Sequence, residues 1–267
     1  MISTPFYKGQ GLGNQLANYV TVRTLALDKG FDFGVQFPEN FKGKDFMNLD
    51  MGLPVIGGRT DVEGQLPQEL PDGFTSYYAE QMGEDGDYDL HLKNVEDNTL
   101  IHGVLQGIDY IKHRKIQIDN WLKVQPIEMP DDLCVINIRG GEYKYVRDFI
   151  LPKSYWENGI ARMKSINPNM RFEIHTDDAG YARFLFTEYP IISDIGLNWR
   201  SIRSAKYLLL SNSSFAILPA WLGEGYVIAP KYFGRFNLDD GIWGLEQNKV
   251  FDWNYLDKNG KISKLSA

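Results

Sequence analysis

The strongest constraint on the fold lies in the second half of the chain, where apolar runs alternate with segments of helical period. LCVINI, RFEIHT, IISDI, KYLLLS and YVIAP read as strands. Between them, SYWENGIARMKSI and AGYARFLFTEY read as helices, a short helix leads into KYLLLS, and SFAILPAWLG reads as another, with Pro219 standing where it would continue. Strands separated by helices at this spacing need crossover connections, and these generate a parallel, doubly wound sheet.

The first half is less regular. It opens with GQGLGNQLANYV, residues 9 to 20, in which glycines precede a helical segment expected over residues 14 to 29, with Asn14 as its cap and Gly30 as its stop. An extended FDFGVQF follows. Residues 38 to 98 are rich in Gly, Pro, Asp and Asn without a sustained period and read as loops with short elements. TLIHGVLQG then reads as a strand and IDYIKHRKIQIDNWLKV as one amphipathic helix. QPIEMPDD looks like a connection, so the expected division is an N-terminal lobe over residues 1–125 and a C-terminal lobe over 126–267.

Charge and cysteine content narrow the function classes. A net charge of −7 argues against a broad surface that tracks nucleic-acid phosphates, although a local basic pocket fits within an acidic total. The lone Cys134 rules out an intrachain disulfide framework, and its apolar run DLCVINI reads as burial rather than nucleophilic chemistry. No apolar run approaches a membrane span, and the opening MISTPFYKG lacks a basic start followed by a hydrophobic segment, so a cytoplasmic location is expected.

The glycine stretch misses the dinucleotide-binding fingerprint, because the third glycine position is occupied by Asn14 or Leu16 depending on the register. A Walker-type loop is excluded by the lack of Gly-Lys-Ser/Thr. A general anion site remains, in which glycines let the backbone approach and a helix N-terminus favours negative charge. A simple tight turn feeding a helix fits the same residues.

Three strand ends carry further candidates. In INIRGGEYKYV, Arg139 leaves the sheet ahead of Gly140 and Gly141, and its fork suits a phosphate; a surface ion pair is the plainer reading. EIHTDD puts Asp177 and Asp178 after a second strand, and LLLSNSSF puts Ser211, Asn212, Ser213 and Ser214 before a helix. Each has a helix-capping explanation. Their joint placement is expected if one nucleotide lies across the cleft.

No metal is expected. DGDYDLHLKNVE, residues 85 to 96, places acids at positions 1, 3, 5 and 12 of a calcium loop, yet Leu90 holds the sixth position, where the turn requires Gly. The same Asp85-x-Asp87 lacks a preceding apolar strand and reads as a solvated acidic loop rather than a metal-binding DxD.

The order GxGLGNQL, an HxRRGDY-like element, a TDD strand end and SNSSF...AWL...VIAPKYF resembles glycosyltransferase family 11, the α-1,2-fucosyltransferases that use GDP-fucose. More remotely it is similar to the α-1,6 and protein O-fucosyltransferases. The similarity covers most of the chain and includes HGVLQGIDYIKH, where the family has Gly-Tyr-x-Gln. It implies an α/β, GT-B-like fold of two Rossmann-like lobes, with the acceptor on the N-terminal side and a nucleotide sugar on the C-terminal lobe.

By the same resemblance, Gly11, Gly13, Asn14 and Gln15 form the turn beside the donor, at the cleft. Arg139 holds the diphosphate, with Asn137 at the family's His position; Asp177 and Asp178 attend the nucleoside, and Ser213 and Ser214 the phosphates. The implied reaction is inverting transfer of fucose to a glycan hydroxyl, without a covalent enzyme intermediate, metal or other cofactor. Catalytic candidates are Arg139, with Glu142 and Asp148 as carboxylates to withdraw the acceptor proton. His102 and His175 are alternatives in principle, although a lone histidine is more often structural. The chain departs from the family where Gly140 replaces the second arginine, Glu142 an aspartate, and Ala216, Ile217 and Leu218 a Ser-Trp-Trp. Transfer from another nucleotide sugar, or a relative that binds without transferring, therefore stays open.

Overall fold

The computed structural model describes residues 1–59, 66–81, 89–242, 249–250 and 252–265. The chain divides into two compact units, Met1–Val124 and Gln125–Ala267.

In the first unit, β1 (Ile2–Pro5) leads through α1 (Leu12–Lys29) to β2 (Phe33–Gln36). β3 (Gly57–Arg59) and β4 (Glu69–Pro71) form a separate antiparallel pair. β5 (Ser76–Ala79) and β6 (Thr99–His102) complete a parallel sheet of order β2-β1-β6-β5. The central strands β1 and β6 are buried along their whole length, as a parallel sheet covered on both faces requires. Ile2, Val22, Ala26, Ile101 and Leu105 join strand, helix and loop into one apolar cluster.

Two helix expectations change. α1 begins at Leu12 with Gly11 as its N-cap, so Asn14 lies inside the first turn and does not cap it. The amide of Asn14 accepts instead from Gln106, a contact between segments that a local pattern does not reveal. The stop at Gly30 is as expected: it adopts a left-handed φ of 69° and its N–H returns to Ala26 O. The single helix expected after β6 is broken into α2 (Ile108–Ile111), a 3-10 turn over Lys112–Arg114, and α3 (Lys115–Trp121). The break coincides with His113 and Arg114, which both bind the Asp28 carboxylate of α1, at 2.7 and 2.6 Å. Tertiary charge pairing thus overrides the helical period.

The second unit runs β7 (Leu133–Ile138), α4 (Lys153–Ile166), β8 (Arg171–Thr176), α5 (Ala179–Leu185), β9 (Ile191–Ile192), α6 (Ile195–Ser204) and β10 (Tyr207–Leu209). α7 (Ser214–Leu222), β11 (Tyr226–Pro230), β12 (Asn254–Leu256) and β13 (Ile262–Ser263) follow. The sheet order is β13-β12-β11-β10-β7-β8-β9, parallel except for the antiparallel β12–β13 pair. Counted from β7, the parallel strands follow the doubly wound order 3-2-1-4-5-6, with the reversal between β7 and β10.

Alternation along β7 separates two faces. Cys134, Ile136 and Ile138 pack with Tyr155, Trp156, Ile160 and Met163 of α4 and with Ala182 and Leu185 of α5. On the opposite face, Asn198 of α6 bonds to His175, the register partner of Asn137. Helices therefore cover both sides, and the α/β class with two Rossmann-like units stands as expected. Burial pushes the Cys134 thiol up, and it is inert core. α7 continues through Pro219 to Leu222 because Ala216 to Leu222 are buried on every side, so packing offsets the hydrogen bond that proline omits. Ala216, Ile217 and Leu218 are core residues of that helix.

Candidate functional site

Ligands of doubly wound sheets sit beyond the carboxyl ends of the strands where the strand order reverses. Here that point lies between β7 and β10. Leu209 pairs with Ile136, so the loop from Leu210 runs beside the end of β7. The two segments singled out as phosphate candidates, Arg139–Glu142 and Ser211–Ser214, are thereby brought to adjacent strand ends. Ser211 Oγ donates to Asn137 Oδ1 at 2.8 Å and ties them together.

Arg139 is held on three sides. Nη1 meets Asp177 Oδ2 at 2.6 Å, Nη2 meets Glu142 Oε1 at 2.5 Å, and the guanidinium lies 5.3 Å from the Tyr143 ring centre. Asp177 also accepts from Gly140 N at 2.9 Å. The glycines here are explained by loop packing: a Cβ at Gly140 would lie 2.6 Å from Asp178 Cβ, and one at Gly141 would lie 2.5 Å from Asp177 Oδ2. Close approach of the two loops is by itself a reason for both glycines.

Asp178 caps α5, accepting from Tyr181 N at 2.9 Å, and pairs with Lys144 Nζ at 2.5 Å. Lys144 and the Tyr181 amide hold its carboxyl below the usual carboxylate range, and Asp178 in turn raises Lys144. Asn137 is buried, with its amide spent on Ser211 and on His175 O at 3.3 Å. It sews strand ends together. Ser213 is the N-cap residue of α7 but makes no side-chain cap bond, and Ser214 opens the helix. Glu142 and Asp148 are both exposed on the loop after β7.

Asn212, from the serine loop, and three aromatic residues organise this edge. Asn212 Nδ2 donates to Phe149 O at 2.8 Å and Phe233 O at 2.5 Å, joining the loops after β7, β10 and β11. Tyr143, Phe149 and Phe233 form an aromatic chain with centroid spacings of 5.4 and 5.3 Å. Tyr143 and Phe149 share the loop after β7, whereas Phe233 comes from the loop after β11, so no local pattern links all three.

The first unit has an equivalent reversal between β1 and β6. The glycine turn leaves β1 there, with Gly9 at φ 89° and a Cβ at Gly9 or Gly11 meeting nothing within 4 Å. Gly11 is extended, at φ −65°, so neither its conformation nor its packing requires glycine. Gly13 is buried inside the first turn of α1, which has no side-chain cap bond and no acidic residue. Lys42 Nζ donates to Gly9 O at 2.9 Å. Gln106, from the loop after β6, donates to Asn14 Oδ1 at 2.7 Å.

Asn14 and its neighbour Gln15 part company, because adjacent helix residues point about 100° apart. Gln15 is buried, bonding Asn40 O at 2.9 Å and Lys42 N at 3.0 Å, and braces the loop after β2. Glu80, missed in the sequence, shapes the Gln106 loop: its carboxylate accepts from Leu105 N at 2.7 Å and Tyr110 OH at 3.0 Å. Burial raises its pKa against the hydrogen bonds that favour the ion. His102 bonds Tyr7 OH at 2.9 Å, and His175 is buried between Asn198 and Glu173, at 2.9 and 2.8 Å.

Among the described residues, no group of three or more His, Cys, Asp or Glu is arranged to hold a metal. Asp85 and Asp87 lie outside the described residues, and Asp89 accepts from Tyr78 OH, Gln81 N and His91 N. No described helix is long and apolar enough to cross a membrane.

No protein-family model matches the chain, and no curated protein matches it. Among solved structures it is similar to an Arabidopsis thaliana FUT1 mutant in complex with GDP, at 11% identity and a TM-score of 0.49, over 86% of this chain and 70% of that one. It is also similar to the E. coli heptosyltransferase WaaC with ADP, at 11% identity and a TM-score of 0.41, over 93% of this chain and 92% of the other.

Proposed function

We propose that the chain is a nucleotide-sugar glycosyltransferase whose donor diphosphate binds at the β7/β10 strand ends of the second unit. The observation that carries this reading is the meeting of the Arg139 loop and the Ser211–Ser214 loop at the reversal point of a 3-2-1-4-5-6 sheet. The order of sequence motifs supplies the finer reading: fucose moves from GDP-fucose to a glycan hydroxyl with inversion, forming an α-1,2 linkage, in the cytoplasm.

In this scheme the acceptor oxygen attacks the anomeric carbon, the bond to the phosphate oxygen breaks, and its electron pair leaves with the GDP. Arg139 and the N–H groups that open α7 take up the added charge. The acceptor proton passes to a carboxylate. Glu142 and Asp148, both exposed on the loop after β7, are the candidates. Asp177 orients the guanidinium and Ser213 offers a hydroxyl toward phosphate. Asn14, fixed by Gln106 beside the open glycine turn, belongs to the acceptor-side unit. The reaction proceeds without metal, which activity in chelator tests.

One observation favours a second reading, a relative that binds nucleotide or glycan without transfer. The buried Asn137 and the small Gly140 leave Arg139 alone where the resembled family has a histidine and two arginines.

Thermal unfolding with GDP, UDP, ADP and GDP-fucose in chelator, for the wild type and Arg139→Ala, tests the donor. Ligand at about 100 times its Kd stabilises by about 2.7 kcal/mol, and this gain is expected for guanine nucleotides only and lost in the variant. No shift with any guanine nucleotide overturns the GDP donor. Labelled-sugar transfer then separates enzyme from binder.

A further inference from the structure

We infer that Glu142 is a built-in competitor for the anion site: its carboxylate occupies Arg139 until a diphosphate displaces it, so this side chain sets the affinity of the site. The inference rests on the nucleotide reading above.

The two acids on Arg139 are unequal. Asp177 is held from behind by the Gly140 amide and packed under Gly141, and its side chain is 31% exposed. Glu142 sits in the 3-10 turn over Gly141–Tyr145, with its side chain 68% exposed. An exposed pair of this kind is weak and exchangeable, because water solvates the released carboxylate well. Asp177 is therefore the fixed orienting partner and Glu142 the removable one.

Geometry points the same way. Asp177 takes Nη1, whereas Glu142 takes Nη2, which together with Nε forms the edge that a phosphate needs for a two-pronged contact. The Tyr143 ring supports the guanidinium plane and would keep it in place after Glu142 leaves. Charge adds a reason for exchange. Arg139 and Lys144 face three carboxylates, Glu142, Asp177 and Asp178, so the cluster as it stands repels an anion. Rotation of the Glu142 side chain moves one of these charges away from the guanidinium with no change in the backbone.

The test is titration calorimetry with inorganic pyrophosphate and with GDP, on the wild type, Glu142→Gln, Arg139→Ala and the double variant. Glu142→Gln is expected to tighten binding of both probes by about two- to fivefold, the range in which exposed ion pairs fall. The double variant is expected to bind no more tightly than Arg139→Ala alone, because the competitor acts only through that guanidinium. Equal or weaker binding by Glu142→Gln, with the wild type binding normally, overturns the inference and leaves the nucleotide reading intact. A gain that persists without Arg139 also overturns it, by showing a general charge effect. Failure of the wild type and of Glu142→Gln to bind either probe overturns both readings. Binding by Glu142→Gln alone supports the competitor in its extreme form.

Discussion

The two units solve one problem in different materials. Each brings loops together where the strand order of a parallel sheet reverses, at β1/β6 in the first and β7/β10 in the second. In the first, the Gln106 loop is shaped by a half-buried carboxylate, Glu80, on backbone and phenol donors, and linked to α1 by an amide pair. In the second, Arg139, Glu142, Lys144, Asp177 and Asp178 form partly exposed ion pairs beside neutral bonds made by Asn137, Ser211 and Asn212. Backbone bonds to a half-buried acid resist salt and competing anions, whereas partly exposed ion pairs yield to both. On the proposal above, it is at this softer edge that one carboxylate, Glu142, gives way to a ligand's phosphate.

The most damaging way to break this contrast is at Glu80. Glu80→Ala leaves Leu105 N without its acceptor and should lower unfolding stability by about 2–3 kcal/mol in urea titrations, independent of salt. Glu80→Gln keeps an acceptor and should cost less. Burial raises the folded-state pKa of Glu80, so the wild type is most stable below the ordinary glutamate value and loses stability as pH rises through the raised one. Glu80→Gln should lack that decline. A wild-type curve flat over this range would show that Glu80 is effectively solvated.

A smaller effect is expected in the second unit at Asp178. Asp178→Ala removes the α5 cap and should cost about 1 kcal/mol at neutral pH. The Asp178 carboxyl is held low, so the contribution is present above the ordinary aspartate value and disappears as pH falls through the lowered one. Denaturation midpoints of wild type and variant should therefore converge in acid. High salt should remove only the Lys144 share, and Asp178→Asn should recover most of the cap.

The smallest expected change separates a structural glycine from one left open. Gly11→Ala should alter stability by less than about 0.5 kcal/mol, since its φ and its surroundings accept a methyl group. Gly9→Ala should cost about 1–2 kcal/mol for its left-handed conformation. Weaker ligand binding by Gly11→Ala at unchanged stability would mark the turn as a contact surface; unchanged binding would make it a simple connection.

Much of the fold was legible because its causes are local. The apolar runs of β7 and β8, the stop at Gly30 and the strand–helix alternation after residue 126 follow from side-chain period and backbone freedom. The site was legible only in part. Arg139, Asp177 and the serine loop stood out because strand ends are readable, yet Gln15 and Asn137 face inward and Gly140 answers to loop packing. Pro219 and the Lys112–Arg114 turn went against local preference, one through burial and one through the pull of Asp28. The short β12 and β13 carry too few residues to show a period.

The sequence by itself determined the class of the chain, the strand–helix alternation of its second half and the residue types gathered at its strand ends, since each depends on neighbours a few positions apart. Only the tertiary structure decided which of those residues meet. The Ser211–Asn137 bond, the three-loop clasp of Asn212 and the hold of Glu80 on Leu105 join positions 74, 63, 21 and 25 residues apart. Such contacts depend on the register between strands from distant segments, which the propensity of any one segment does not fix.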